Sequence, residues 1–408
     1  MLMSVISQTQ TPVYRQPLVV RFLTARVLMS FAAQMQDIAI GWYVYSETNS
    51  ALSLGFVGLS QFAPMLLLAG LAGDVADRKD RKLIAWVCNI GQVLCSLAMF
   101  GFAFFPVWGI LPIYGCLAGL GICRAFSAPA LSSILPNLVE KSQFSRAIAV
   151  SSSAFQIATI AGPAAGGLLY AFIGKFVFVF AAFLYATSAV AIAGLPKILV
   201  HQTDAGLTAT QRMLAGVKYI FTNKMVLGAL SLDLFAVLLG GVTALLPIYA
   251  RDILHVGPDG LGLLRGCPAL GAATIGLLLT RTPLKRGVGS KMFACVAGFG
   301  VATIVFALST SIPLSVLALV LMGAFDMVSV VIRQTLVQMA TPDAMRGRVT
   351  AINFVFIGAS NQLGEFESGI TAALFGTVPA ALIGGIGTVL IVGLWAVLFP
   401  ELRKADAM

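Results

Sequence analysis

The stretch "LSQFAPMLLLAGLAGDVADRKDRK" (59–82) decides the fold. Residues 59–73 carry no charge, yet seven of the ten residues in 73–82 do: Asp74, Asp77, Arg78, Lys79, Asp80, Arg81 and Lys82. An apolar run that ends so abruptly in charge reads as a membrane span meeting water. The rest of the 408-residue chain agrees with that reading. It is 59% hydrophobic and only 10% charged, against about 25% charged in a soluble domain. Mean hydropathy is +0.95. This composition cannot coat a water-soluble surface, so the apolar stretches face lipid.

A spanning helix needs about 20 mostly apolar residues. Twelve such segments are expected, near 18–46, 51–73, 83–104, 107–130, 144–171, 175–196, 225–250, 259–280, 290–309, 312–334, 347–373 and 377–399. The fold class is therefore all-α integral membrane, with two six-helix bundles at 18–196 and 225–400. A basic linker at 197–224 joins them, with short tails at 1–17 and 401–408. The first tail lacks the apolar core of a secretory signal. With both termini in the cytoplasm, 19 lysines and arginines fall in inside segments, against three outside, Lys175, Arg251 and Arg265. That asymmetry predicts an inner-membrane protein with cytoplasmic termini.

The bundles read as repeats. A shift of 202 residues superposes Arg146 on Arg348, and "GPAAGG" (162–167) on "GEFESG" (364–369). Duplication into two halves is typical of secondary transporters. The six cysteines all sit in apolar segments without CxxC spacing, and there are only two histidines. No disulfide, zinc site or catalytic metal is expected. The net charge of +10 is accounted for by membrane orientation, so no nucleic-acid partner is expected.

With the loop and the repeat in view, the chain resembles the major facilitator superfamily. The signature of that family in this loop reads Gly-x-Leu-Ala-Asp-Arg-x-Gly-Arg-Lys, and Gly73, Ala76, Asp77, Arg78, Arg81 and Lys82 stand in register. Val75 replaces the Leu and Asp80 the second Gly. The resemblance implies a latch between the halves, carried by Asp77 and Arg78. The equivalent stretch "RTPLKRGVGSK" (281–291) keeps cations but no acids, so the latch reads as one-sided. The motif Gly162, Pro163, Gly166, Gly167 resembles the fifth-helix signature of proton-coupled exporters. Its glycines allow close helix packing and its proline frees a carbonyl. "AAQMQDIAIGWYVY", "RAFSAPALSSILPNLV" and "RQTLVQMATPDAMRGRVTAINFVFIGASNQLGEFESG" are similar to the branch with enterobactin exporters and macrolide efflux pumps.

Charges within spans are costly and need a reason. Arg26 and Asp37 share a stripe of the first helix, about 20° apart by helical arithmetic and about 16 Å along the axis, with Gln34 near Asp37. Asp37 is read as a proton-coupling or cation-recognition site, or as a satisfied buried acid. Arg124 and Asp326 superpose under the same shift, which raises a pairing across the cleft when the cytoplasmic side closes. The alternative is local, with Asp326 facing Arg333. Asp233, Glu365 and Glu367 are further coupling candidates, and residues two apart on a helix point about 200° apart. Gly73 is expected to permit close backbone approach. Trp42, Tyr43 and Tyr45 end the first helix and read as an interfacial belt, or with Phe31 and Phe126 as a pocket lining.

The reading is a proton-coupled exporter of a small amphipathic molecule such as a siderophore or macrolide, working as a monomer by alternating access. Its energy source is the proton gradient, with no bound cofactor, and no GxxxxGK[ST] motif is present to bind ATP. The competing readings are an importer of the same fold and a membrane-embedded lipid-handling enzyme, the latter without a cluster of His, Cys or acids at an interface.

Overall fold

The computed structural model describes residues 16–140, 143–197, 209–282 and 286–406. Six spans come first: α1 (Pro17–Thr48), α2 (Ala51–Arg78), α3 (Arg81–Phe104), α4 (Leu111–Ile134), α5 (Phe144–Ile173) and α6 (Val177–Ala193). The linker helix α7 (Ala209–Thr222) follows. The seventh span is α8 (Lys224–Leu239) continued by α9 (Leu246–Ile248) and a π-turn at Tyr249–Ile253. The last five are α10 (Pro258–Arg281), α11 (Val288–Leu308), α12 (Ile312–Ala340), α13 (Asp343–Phe375) and α14 (Thr377–Leu398), closed by α15 (Pro400–Arg403). Among the described residues ten stretches are long and apolar enough to cross a membrane. One of them, 146–193, contains both α5 and α6. Outside the ten stands α13, whose 33 residues carry Arg346, Arg348, Glu365 and Glu367. The protein is an all-α, multi-pass membrane protein.

The lysines and arginines give the bundle a basic end, with loop 79–80 and the α14–α15 junction, and an opposite, far end. The seventh span is not the continuous helix expected. It breaks at Gly240–Gly241, where two successive glycines lower helix propensity, and restarts at Pro247, a residue favoured in a first turn. The carbonyls released there are satisfied by other helices. Ser368 Oγ donates to Gly241 O at 3.2 Å and Arg265 Nη1 to Thr243 O at 2.7 Å. Irregular backbone at membrane depth persists only when it is satisfied in this way.

The repeat is visible in how glycines pack. A side chain started at Gly162 would lie 2.6 Å from Gln34 Cβ, and one at Gly166 2.6 Å from Met35 O, so α5 beds on α1. The matching Gly364 of α13 beds on α8, 2.9 Å from Leu238 O. Gly167 meets α10, 2.3 Å from Pro258 O, and Gly369 meets α2, 2.7 Å from Gly55 Cα. These last two contacts, α5 with α10 and α2 with α13, join the halves at the far end. Toward the basic end Gly70 and Gly73 of α2, and Gly347 and Gly358 of α13, have nothing within 4 Å of where a Cβ would start. The halves are closed at the far end and apart at the basic end. Gly73 thus makes no close approach, contrary to expectation: α2 runs on past it to Arg78, and its bare face looks into open space.

The charged stretch is mostly helix. Asp80 caps α3, accepting from Lys82 N at 3.0 Å. The side chain of Asp77 lies outside the described residues. Arg78 pairs with Asp74 at 3.0 Å, and Arg81 donates to the α4 carbonyl of Ser133 at 3.3 Å. Of the equivalent stretch, 283–285 lie outside the described residues. Its helix start is held by the tail: Gly287 N donates to the Asp406 carboxylate at 3.0 Å and to its carbonyl at 2.7 Å. Of the linker, 198–208 lie outside the described residues, and α7 rests on α13 through Gly216, beside Ile352 and Arg348.

Cysteines at Gly55 and Gly369, in a background without other cysteines, are expected to cross-link the halves on oxidation. The pair Gly73→Cys with Gly347→Cys is expected not to. A gel after cleavage in the linker reads both, and equal cross-linking of the two pairs would contradict the one-sided closure.

Candidate functional site

Below the closed far end lies a cavity lined by both halves. Each half has one acid–arginine pair at it: Asp37, Arg265 and Glu365 line the cavity, and Arg124 is bonded to Asp37. In the first half Arg124 of α4 reaches α1 and α2 together: Nη2 donates to Asp37 Oδ1 at 3.2 Å and Nη1 to Gln61 Oε1 at 2.5 Å. The approach is possible because α4 presents Gly121 to α2, where a Cβ would fall 2.1 Å from Gln61 O. In the second half Arg265 of α10 donates Nη2 to Glu365 Oε1 of α13 at 3.2 Å. Glu365 also lies against Gly58 of α2, whose Cβ would fall 2.7 Å from Oε2. The second half's acid is therefore seated on the first half's bare helix face. All four side chains of the two pairs keep 18–29% exposure. They are neither fully desolvated nor free in water, so proton access is retained. Ile38, Leu54, Val57 and Leu261 supply apolar walls, and Gln362 and Thr243 further polar atoms.

The two pairs form one field of two acids and two bases. A proton on either acid neutralises a carboxylate and leaves its arginine free for another partner.

A second charged group lies in the interior of the second half. Arg333 Nη1 donates to Asp233 Oδ2, with side-chain exposures of only 3% and 9%. Asp326 stands beside this pair without accepting a hydrogen bond from the described residues. The expected bond between Arg124 and Asp326 is not made: Arg124 is committed to Asp37 and Gln61, and it points within its own half. The local alternative is not made either, because Arg333 turns to α8 instead of along its own helix.

The other candidates are dispersed. Arg26 donates to Ser151 Oγ at 2.8 Å and lies 5.5 Å above the Phe155 ring, so the stripe shared with Asp37 leads to two different neighbours. Gln34 backs Gly162. Glu367 accepts from Thr371 on its own helix at 2.8 Å. Tyr43 and Tyr45 form no interfacial belt. Tyr43 is 2% exposed and edge-on to Phe178. Tyr45, also buried, donates to Asp252 of the second half. Arg251 joins it, donating to Asn49 Oδ1 at 2.9 Å. They are inside because the halves close over the end of α1.

Sequence reasoning passed over Arg265, which fell within the expected span 259–280 yet was counted with the outside cations. The helix begins at Pro258, so Arg265 sits two turns inside the span. Its signal was that proline, seven residues upstream. It also missed Gln61, an amide in an otherwise apolar run.

The comparisons with known proteins follow this architecture. Residues 8–408 match the model of the family described as "Transmembrane secretion effector". The chain is 26% identical over 382 residues to the enterobactin exporter EntS of Citrobacter koseri, covering 90% of this chain and 86% of that one. It is 28% identical over 260 residues to macrolide efflux protein A of Streptococcus pyogenes, covering 60% and 61%. A crystal structure of a mutant nucleoside transporter NupG superposes with a TM-score of 0.77 at 15% identity, over 94% of this chain and 100% of that one. The last comparison speaks to fold alone.

Removing Arg333 leaves two buried carboxylates without a counter-ion. Arg333→Met is expected to cost about 3–5 kcal/mol of stability, and adding Asp233→Leu to restore most of it. Thermal unfolding in detergent measures both, and a double variant as unstable as the single would contradict the pairing. The match across nearly the whole sequence, the two six-span halves and the helical neighbours lead to one statement: the chain belongs to the transmembrane secretion effector family of the major facilitator superfamily, and it is a transporter.

Proposed function

We propose that this transporter exports a small amphipathic organic molecule of the siderophore or macrolide kind, exchanging it for protons by alternating access. The observation that carries the reading is the pair of acid–arginine contacts facing one cavity from the two halves, Asp37–Arg124 and Glu365–Arg265. The direction and the kind of cargo come from what the relatives are described as moving. The basic end is taken as cytoplasmic. The working unit is taken as one chain, since both halves of the cavity come from the same chain.

In this reading the conformation described is the inward-facing one. A mixed lining suits an amphipathic cargo: the apolar walls bury its body, and the glutamines, Thr243 and the ion pairs meet its polar groups. Closing the far end strips water from Glu365 as Gly58 comes over it. A neutral carboxyl is dehydrated at lower cost than a carboxylate. Protons taken from outside therefore favour far-end closure. Once the basic end opens, the proton leaves, Arg265 pairs with Glu365 again, and cargo enters from the cytoplasmic side. Loading and deprotonation then drive the return. Arg124 with Asp37 forms the same kind of element in the first half, and Arg78 and Arg81 would re-engage when the basic end closes.

Everted vesicles with an acid interior and a luminal pH probe test the coupling. Addition of enterobactin or erythromycin is expected to alkalinise the lumen. Glu365→Gln and Asp37→Asn are each expected to reduce that signal at least ten-fold. Uptake that continues unchanged after the pH gradient is collapsed would overturn proton coupling.

A further inference from the structure

A side pocket of about 230 Å³ opens within the second half, against the break in α8. Gly240 and Gly241 form one wall, with Gly240 packed close against Phe299 and Gly241 against Gly364. Thr243 lines both this pocket and the central cavity, so the two spaces are neighbours across one residue. The remaining lining is apolar or aromatic, with Val237, Met322 and Phe299, except for Asn361 and Asp326. Asp326 also lines a smaller adjoining space with Ser329.

The charges around this pocket do not balance. Asp233 from α8 and Arg333 from α12 neutralise each other. Arg265, the nearest base on α10, is committed to Thr243 O and Glu365. The pocket linings from α10, α11 and α13 are Pro268, Phe299 and Asn361, none of them charged. Asp326 is thus a surplus carboxylate midway along a spanning helix, in a space large enough for an organic group. A carboxylate at that depth is costly without a counter-charge, and the one base beside it, Arg333, is already bonded to Asp233, so two acids share a single guanidinium. An aromatic face and a carboxylate around an apolar space are what a lipophilic onium or ammonium group needs.

We infer that Asp326 anchors the charged group of a lipophilic organic cation in this side pocket, while the rest of the ligand extends past Thr243 into the central cavity. The inference rests on the transport reading only for how such a ligand would be moved. A proton and the cation compete for the same carboxylate, so the pocket rejects anions of the same shape and loses its ligand in acid.

The test is equilibrium binding of tritiated tetraphenylphosphonium to the purified protein in detergent, with tetraphenylborate as an anion of the same shape. Saturable binding of the cation is expected, uncompeted by the anion and weakened as pH falls. Asp326→Asn is expected to weaken it at least ten-fold and abolish its pH dependence, while Asp326→Glu retains it. Unfolding temperatures show that each variant is folded. Absence of saturable binding to the folded wild type, competition by tetraphenylborate, or unaltered binding to Asp326→Asn would each overturn the inference. No gradient is present in this assay, so failure of proton-coupled export in vesicles leaves the result standing, and the reverse also holds.

Discussion

A charge carried into a lipid-embedded bundle has to be answered within reach of its own side chain, and the interior of this protein is arranged around that constraint. Arg124 gathers α1, α2 and α4 by bonding Asp37 and Gln61. Arg265 ties α10 to both α13 and the broken seventh span, through Glu365 and Thr243 O. Arg333 joins α12 to α8 through Asp233. Each arginine is a fork with several donors, which lets one side chain hold two helices at once. The polar interior is therefore structural and reactive together. The bonds that fix helix positions contain the carboxylates that protons can reach.

Glycine supplies the second requirement. Helices in lipid gain little from apolar burial against one another and associate by close packing. The duplicated glycines at 162 and 167, and at 364 and 369, do this twice, once within each half and once between halves. Among the described residues the glycine contacts between halves at Gly167 and Gly369 sit toward the far end, so the bundle can part there without tearing either half. Gly58 links the two requirements, because the surface that closes the far end is also the surface that covers Glu365.

Much of this was legible in the sequence. Hydropathy located twelve spans, and the loop at 73–82 with the repeat offset led to the superfamily. Charges in apolar runs pointed to Asp37, Asp233 and Glu365. Partner choice was not legible. Helical arithmetic gives the face of a residue, not which helix stands opposite, so Arg26 and Asp37 share a stripe and meet different neighbours. The repeat offset superposes Arg124 on Asp326 because they occupy equivalent places in two halves, and equivalence is not contact. Arg265 lay inside an expected span but near its outer end, where a base reads as an outside cation, and the break in α8 was hidden by the apolar residues that surround Gly240 and Gly241. Tyr43 and Tyr45 looked interfacial because burial by the other half is invisible to local composition.

The central claim is that protonation of the cavity acids closes the far end. Spin labels at Trp108 and Phe375, both exposed on far-end segments of the two halves, report that closure by pulsed electron resonance in lipid nanodiscs. The account predicts a short distance at pH 5 that gives way to a longer one at pH 8, and a Glu365→Gln variant fixed at the short distance throughout. A distance distribution in the wild type that does not change with pH, or one that lengthens on acidification, would contradict it.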